Sequence, residues 1–165
     1  MNLNKAIQSA EAKGRFKITE NITITVIGKD GAIKDYREIS NLVTSTGKAG
    51  IASRCNGSGG EAAFTYIAVG TGTTAANIAD TTLETETAVS GLSRAAATAS
   101  RTTTTVTDDT AYLTKTFTVT GTVSVTESGV LNAASAGTLL SRQVFAAVSV
   151  INGDSLQVSW AYDFA

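Results

Sequence analysis

In the stretch FKITENITITVIG, apolar side chains at Phe16, Ile18, Ile22, Ile24 and Val26 alternate with threonine and asparagine. A period of two predicts a half-buried β-strand. Lys29-Asp30-Gly31 supplies an Asp-Gly pair, a strong hairpin signal, and AIKDYREI returns as a second strand with Ile33 on one face and Tyr36 on the other. Upstream, residues 4–12 place Ala6, Ile7 and Ala10 at helical spacing, which predicts a short N-terminal helical arm ending near Gly14. After Asn41-Leu42-Val43 the period changes again. STGKAGIASRC reads as one short helix over about residues 45–55. Ser45 or Thr46 is its expected N-cap, Ala49, Ile51, Ala52 and Cys55 are its apolar positions, and Asn56-Gly57 is its stop. Gly47 and Gly50 weaken it.

FTYIAVG is rich in aromatic and branched residues on both faces, so it predicts a central strand. Residues 71–92 are polar, threonine-laden and without a clean period; they form the longest irregular connection. From there to the C-terminus the pattern is β throughout: SRAAATASRTTTTVT, then strands over residues 110–121, 122–127, 129–133, 138–150 and 154–164. Asp108-Asp109 and Asn152-Gly153-Asp154 mark turns, the second read as an Asn-Gly hairpin. Tyr112, Leu113, Phe117, Val119 and Val123 can supply one interior face, and Leu156, Val158, Trp160, Tyr162 and Phe164 alternate toward another. The expected fold is therefore mainly β. It is an antiparallel β-sandwich, Greek-key or jelly-roll-like, over residues 16–165, with one inserted helix and an arm over residues 1–15.

Composition sharpens this picture. The 165 residues carry 13 basic and 14 acidic side chains, a net charge of -1 that offers no footprint for a polyanion, so nucleic acid is not an expected partner. Charged residues are 16% of the chain, against roughly 25% in an average domain, which leaves a weakly hydrated surface suited to permanent contacts. One cysteine excludes an internal disulfide framework and any multi-cysteine metal site. Proline is absent, so the turns rest on Gly, Asn, Asp and Ser. The first residues lack the apolar core of a signal peptide, and no window has the 18 or so apolar residues of a membrane span, so synthesis in a cytoplasm and no membrane partner are expected.

The candidate chemistry is thin. Gly70-Thr71-Gly72-Thr73-Thr74 invites a phosphate-loop reading, but it has no lysine and no third spaced glycine, so a strand-exit turn is the better account. Asn56-Gly57-Ser58-Gly59-Gly60 is read the same way. With no histidine, Ser-His-Asp and Cys-His catalysis are impossible. Cys55 beside Arg54 is expected to be a small buried hydrophobe rather than an activated thiol. Asp108 and Asp109 with a carbonyl could meet calcium's oxygen preference, although adjacent carboxylates in a turn ordinarily cap it. Glu127, within VTESGVLNA, is expected to accept amides from the turn at Ser128-Gly129 or to pair with Arg142 or Arg101, a structural role. No catalytic, cofactor-binding or metal-binding residue is assigned.

Residues 41–74 and residues 124–164 resemble small virion structural proteins of tailed bacteriophages. The second segment is also similar to tail-fibre and collar modules. The stretches that carry the resemblance are Thr126-Glu127-Ser128-Gly129-Val130-Leu131-Asn132-Ala133, then Leu139-Leu140-Ser141-Arg142, then the strand after Gly153-Asp154. The resemblance implies a non-enzymatic assembly protein of the capsid exterior, collar or tail. Its expected partners are its own copies and other virion proteins such as major capsid, portal, collar or tail proteins, and it is expected in the virion after synthesis in the host cytoplasm. Residues 1–13 and the loop at residues 71–90 are expected to contact neighbours, both being weakly self-supporting. The alternative is a receptor- or carbohydrate-binding module using Tyr66 or Trp160 for stacking.

Overall fold

The computed structural model describes residues 18–164, so the expected N-terminal arm and Phe16 lie outside the described residues. Among the described residues, ten strands and one α-helix follow in order. They are β1 (Ile18–Ile27), β2 (Ile33–Ser40), β3 (Leu42–Val43), α1 (Ser45–Asn56), β4 (Tyr66–Gly70), β5 (Ala95–Ala96), β6 (Thr98–Thr102), β7 (Thr110–Thr118), β8 (Val123–Leu131), β9 (Leu139–Val150) and β10 (Ser155–Phe164). They form two five-stranded sheets, one ordered β2-β1-β10-β7-β6 and the other β3-β9-β8-β4-β5. Every strand pair is antiparallel. The mainly β fold with one helix is as the alternation predicts.

The interior faces follow the period-two pattern closely. Ile22, Ile24 and Val26 of β1, Leu156, Val158, Trp160 and Tyr162 of β10, and Leu113 and Phe117 of β7 are buried in one cluster with Ile67, Val69, Val130 and Val148 of the other sheet. Trp160 is 0% exposed; it stacks on Tyr162 with ring centroids 6.2 Å apart, and its Nε1 donates to Ser128 Oγ at 3.3 Å. Its buried indole thus has a polar partner in the opposite sheet. Trp160 is therefore unavailable to stack on a sugar.

The first hairpin forms as expected. Gly31 takes a positive φ of 81°, Gly31 N donates to Gly28 O, and Asp30 accepts from Ala32 N at 3.0 Å. Ile33 and Tyr36, expected on opposite faces, are both exposed, because β2 is an edge strand. The Asn152-Gly153 turn corrects a second expectation. It is not a hairpin: β9 belongs to one sheet and β10 to the other, so the turn arches across the sandwich. The turn is tied to the β7–β8 connection by Gly153 N to Val119 O and Val119 N to Asp154 O, and the buried Asp154 carboxylate receives Ile151 N and Lys34 Nζ. Hydrogen bonding to Lys34 holds that carboxyl below its ordinary range. The strands expected separately over residues 122–127 and 129–133 are one strand, β8, with a register shift between Val125 and Glu127.

The helix differs from its expected packing in a way that matters. Thr44, one residue before Ser45 and two before Thr46, is the N-cap: its Oγ1 accepts from Gly47 N at 3.0 Å and donates to Leu139 O at 2.8 Å. Gly47 and Gly50 are the buried positions, while Ala49, Ala52 and Cys55 are exposed. The helix therefore lies on β9 by its glycine side. Cys55 is consequently not the buried hydrophobe the sequence suggests. Gly57 ends the helix in the left-handed conformation, φ 71°, as expected.

Candidate functional site

The densest polar cluster lies on the outer face of the second sheet, beneath residues 71–92. The register shift in β8 turns Val125 inward and Glu127 outward, and Arg142 faces out from the adjacent β9 through its pairing with Gly129. Glu127 is 0% exposed. Its carboxylate accepts Gly72 N at 3.1 Å, Glu84 N at 3.0 Å, Thr85 N at 2.7 Å and Arg142 Nε at 2.8 Å. Arg142, also buried, continues to Asp80 at 2.7 Å, Glu84 at 3.4 Å and the Thr74 carbonyl at 3.1 Å. Burial opposes the guanidinium charge, but hydrogen bonds to Asp80 and Glu127 outweigh it and the group is held above its ordinary value. Glu84 in turn accepts the Thr74 hydroxyl and amide, which lowers its carboxyl.

This cluster explains the glycines of Gly70-Thr71-Gly72. A Cβ on Gly70 would sit 2.5 Å from Glu127 Oε1, and one on Gly72 would sit 2.6 Å from the same oxygen. The glycine-rich exit of β4 does approach an anion closely, and that anion is the protein's own carboxylate. Beyond it the chain pairs again: Thr71 N donates to Thr85 O, Thr87 N donates to Val69 O, and Gly70 bridges Glu86. Leu83 then covers Ala68, Leu131 and Leu139 in a second small apolar cluster. The loop is therefore built into the domain rather than weakly self-supporting. Its outward side chains Ile78 and Val89 are 45% and 64% exposed.

Of the residues singled out by sequence, the structure brings together Thr126, Glu127, Gly129 and Arg142 beneath residues 71–92, whereas Asn132 lies apart from them. Thr126 Oγ1 donates to Gly72 O at 2.7 Å, and a Cβ on Gly129 would lie 2.6 Å from Leu83 Cδ1. Asn132 accepts Thr138 N at 2.7 Å and donates to Glu61. Glu127 does pair with Arg142, but its amides come from Gly72, Glu84 and Thr85, not from Ser128-Gly129. Arg101 is elsewhere, 3.6 Å from Asp108. The roles of Asp80 and Glu84 were not legible, since they arise from a loop without periodicity.

Of the Asp108-Asp109 pair, Asp109 caps the turn. Asp109 accepts Thr104 N and Thr105 N at 2.8 Å and Val106 N at 2.6 Å. These bonds, the Val106 amide first, lower its carboxyl from 3.8 to about 2. A depressed folded-state value means the folded turn binds fewer protons than the open one. The stabilisation is complete above about pH 4 and is lost as pH falls toward about 2. We expect carboxyl NMR to place the Asp109 midpoint at about 2, with the Thr104, Thr105 and Val106 amide signals moving in step. Asp109→Asn should abolish the coupled amide shift, and a midpoint near 4 would remove the capping account.

Among the described residues no group of three or more His, Cys, Asp or Glu is placed to hold a metal ion, and no helix is long and apolar enough to cross a membrane. Comparison with known proteins finds no matching family model, no matching curated protein and no matching solved structure.

Proposed function

We propose that the protein is a non-enzymatic structural component of a tailed-phage virion, an accessory protein of the capsid exterior, collar or tail that self-associates and attaches to the particle. One observation carries the reading. Glu127 and Arg142, two residues of the stretches that carry the resemblance, are buried together and clamp residues 71–92 onto the sheet, so their chemistry holds up a presenting surface. Ile78 and Val89 stand outward from that clamped loop, and a rigid loop loses little entropy when a neighbour covers it. Low charge lowers the desolvation cost of such a contact. The carbohydrate-binding alternative loses Trp160 to the core.

The test is the particle. Mass spectrometry of purified infectious virions should find the chain at a fixed copy number, on the order of hundreds for head decoration or about a dozen for a collar or tail position. A truncation lacking residues 1–13 should stay folded and fail to incorporate. Absence of the chain from infectious particles would refute the assignment, and normal incorporation of the truncation would refute the role given to the arm.

A further inference from the structure

β2 is an outer strand of its sheet, and among the described residues no strand lies on its far side. The direction of its unpaired backbone groups follows from the ladder. β1 and β2 are in continuous register from Asn21↔Ser40 to Val26↔Asp35, and one step beyond it Asn41 N donates to Glu20 O. By alternation Asp35, Arg37 and Ile39 bond toward β1, while Tyr36 and Glu38 carry their N–H and C=O to the open side, where Ser40 O accepts Gln143 Nε2 at 2.6 Å. Such a row is a template for another strand.

The side chains of β2 select that strand. Ile33-Lys34-Asp35-Tyr36-Arg37-Glu38-Ile39 is complementary to itself read backwards. Laid antiparallel on a second copy about a two-fold axis through Tyr36, it sets Lys34 opposite Glu38, Asp35 opposite Arg37, Tyr36 opposite Tyr36 and Ile33 opposite Ile39. Every charge meets its opposite. Moving the axis to Asp35 or to Arg37 sets two like charges face to face, so the pattern also fixes the register. Within one chain Asp35 and Arg37 already pair at 2.8 Å, and the second copy extends them to a ring of four alternating charges. Glu38 is exposed and makes no ion pair among the described residues, and Lys34, bound to Asp154 through one donor, has others to offer. Tyr36, exposed on the same outward face, gains an apolar neighbour at the axis.

We infer that the chain forms a two-fold dimer in which β2 pairs antiparallel with β2 of a second copy, centred on Tyr36, so that two five-stranded sheets run on as one. The inference rests on the self-association in the proposed function and gives it a surface. A chain that pairs this way but is absent from virions would refute the virion assignment alone; a virion-bound chain that never pairs would refute this dimer alone.

Sedimentation of the full chain should show a reversible monomer–dimer equilibrium, because one strand pair covers less than a standard interface. Glu38→Lys, an exposed substitution that sets lysine opposite Lys34 on both sides of the axis, should leave the thermal midpoint of the dilute monomer unchanged and raise the dimer dissociation constant about tenfold. In a Cys55→Ser background, Tyr36→Cys should be joined to its counterpart by a thiol cross-linker spanning about 5 Å, whereas Ser40→Cys, about 26 Å from its counterpart in this register, should not. A chain monomeric up to about 1 mM would overturn the proposal. Tyr36 and Glu38 amides protected from hydrogen exchange in such a monomer would show the edge covered from within the chain. A dimer indifferent to Glu38→Lys, or cross-linked through Ser40→Cys rather than Tyr36→Cys, would overturn it as well, since another surface would then hold the copies together.

Discussion

Replacing Arg142 with methionine should lower the unfolding free energy by about 3–5 kcal/mol, the cost of leaving one member of a buried ion pair without the other. Methionine replaces much of the apolar stem, so the loss falls on the charge. Glu127 would remain 0% exposed, held by the amides of Gly72, Glu84 and Thr85 but facing no cation. Asp80, left with the Asn77 amide, and the Thr74 carbonyl would lose the guanidinium donor at the same time. For a chain of this size the midpoint should drop on the order of 10 °C. Native-state hydrogen exchange should localise the effect, with the Gly72, Glu84 and Thr85 amides exchanging faster while the Ile22 and Trp160 amides on the central strands keep their relative protection. Combining Arg142→Met with Glu127→Leu removes the stranded charge yet orphans three amide donors, so it should recover only part of the loss. A single variant within about 0.5 kcal/mol of the parent would show that the cluster does not hold the loop.

The same cluster marks the boundary of what the sequence discloses. Interior faces are readable because burial on one side of a strand leaves a period of two, and Leu156 to Tyr162 and Ile22 to Val26 show it plainly. Assignment of strands to sheets is not readable at Asn152-Gly153. A turn with a glycine at positive φ serves a hairpin and an arch equally well, and the choice is made by distant groups: Val119, and Lys34 reaching the Asp154 carboxylate. Glu127 is recognisable as an acid enclosed by strand-like residues, and Arg142 as its partner of opposite charge. Their remaining partners come from a loop whose conformation is set by tertiary contacts, so no local pattern announces them.

The clamp also gives the threonine-rich loop a reason for its composition. A 71–92 segment covering one sheet face must satisfy its own backbone where no regular ladder runs. Thr74 supplies both amide and hydroxyl to Glu84, and the Thr85 amide goes to Glu127. Leu83 contributes the apolar contact. A low-charge loop whose carboxylates Asp80 and Glu84 turn to the buried Arg142 is what results, and its outward side chains are those facing away from the sheet.

Gly47→Ala separates local propensity from packing, because the two predict opposite signs. In a solvated helix the change should stabilise by up to about 1 kcal/mol. Here the added Cβ would be driven into the Leu140 carbonyl oxygen, with Leu140 C and Cα both at 2.8 Å. That carbonyl cannot yield freely, since it also accepts Thr44 N at 3.0 Å and belongs to β9 beside β8. The helix must lift, stretching the bonds from Thr44 to Leu139 and Leu140 and drawing Ile51 off the core. We expect a net loss of about 2–3 kcal/mol, in the range of overpacking at a rigid site. Gly50→Ala meets the Phe64 ring instead, a side chain able to rotate, and should cost less. Chemical denaturation of the two variants checks the order directly: a stabilised Gly47→Ala, or a Gly50→Ala that costs more, would mean that α1 does not rest on β9 through its glycines.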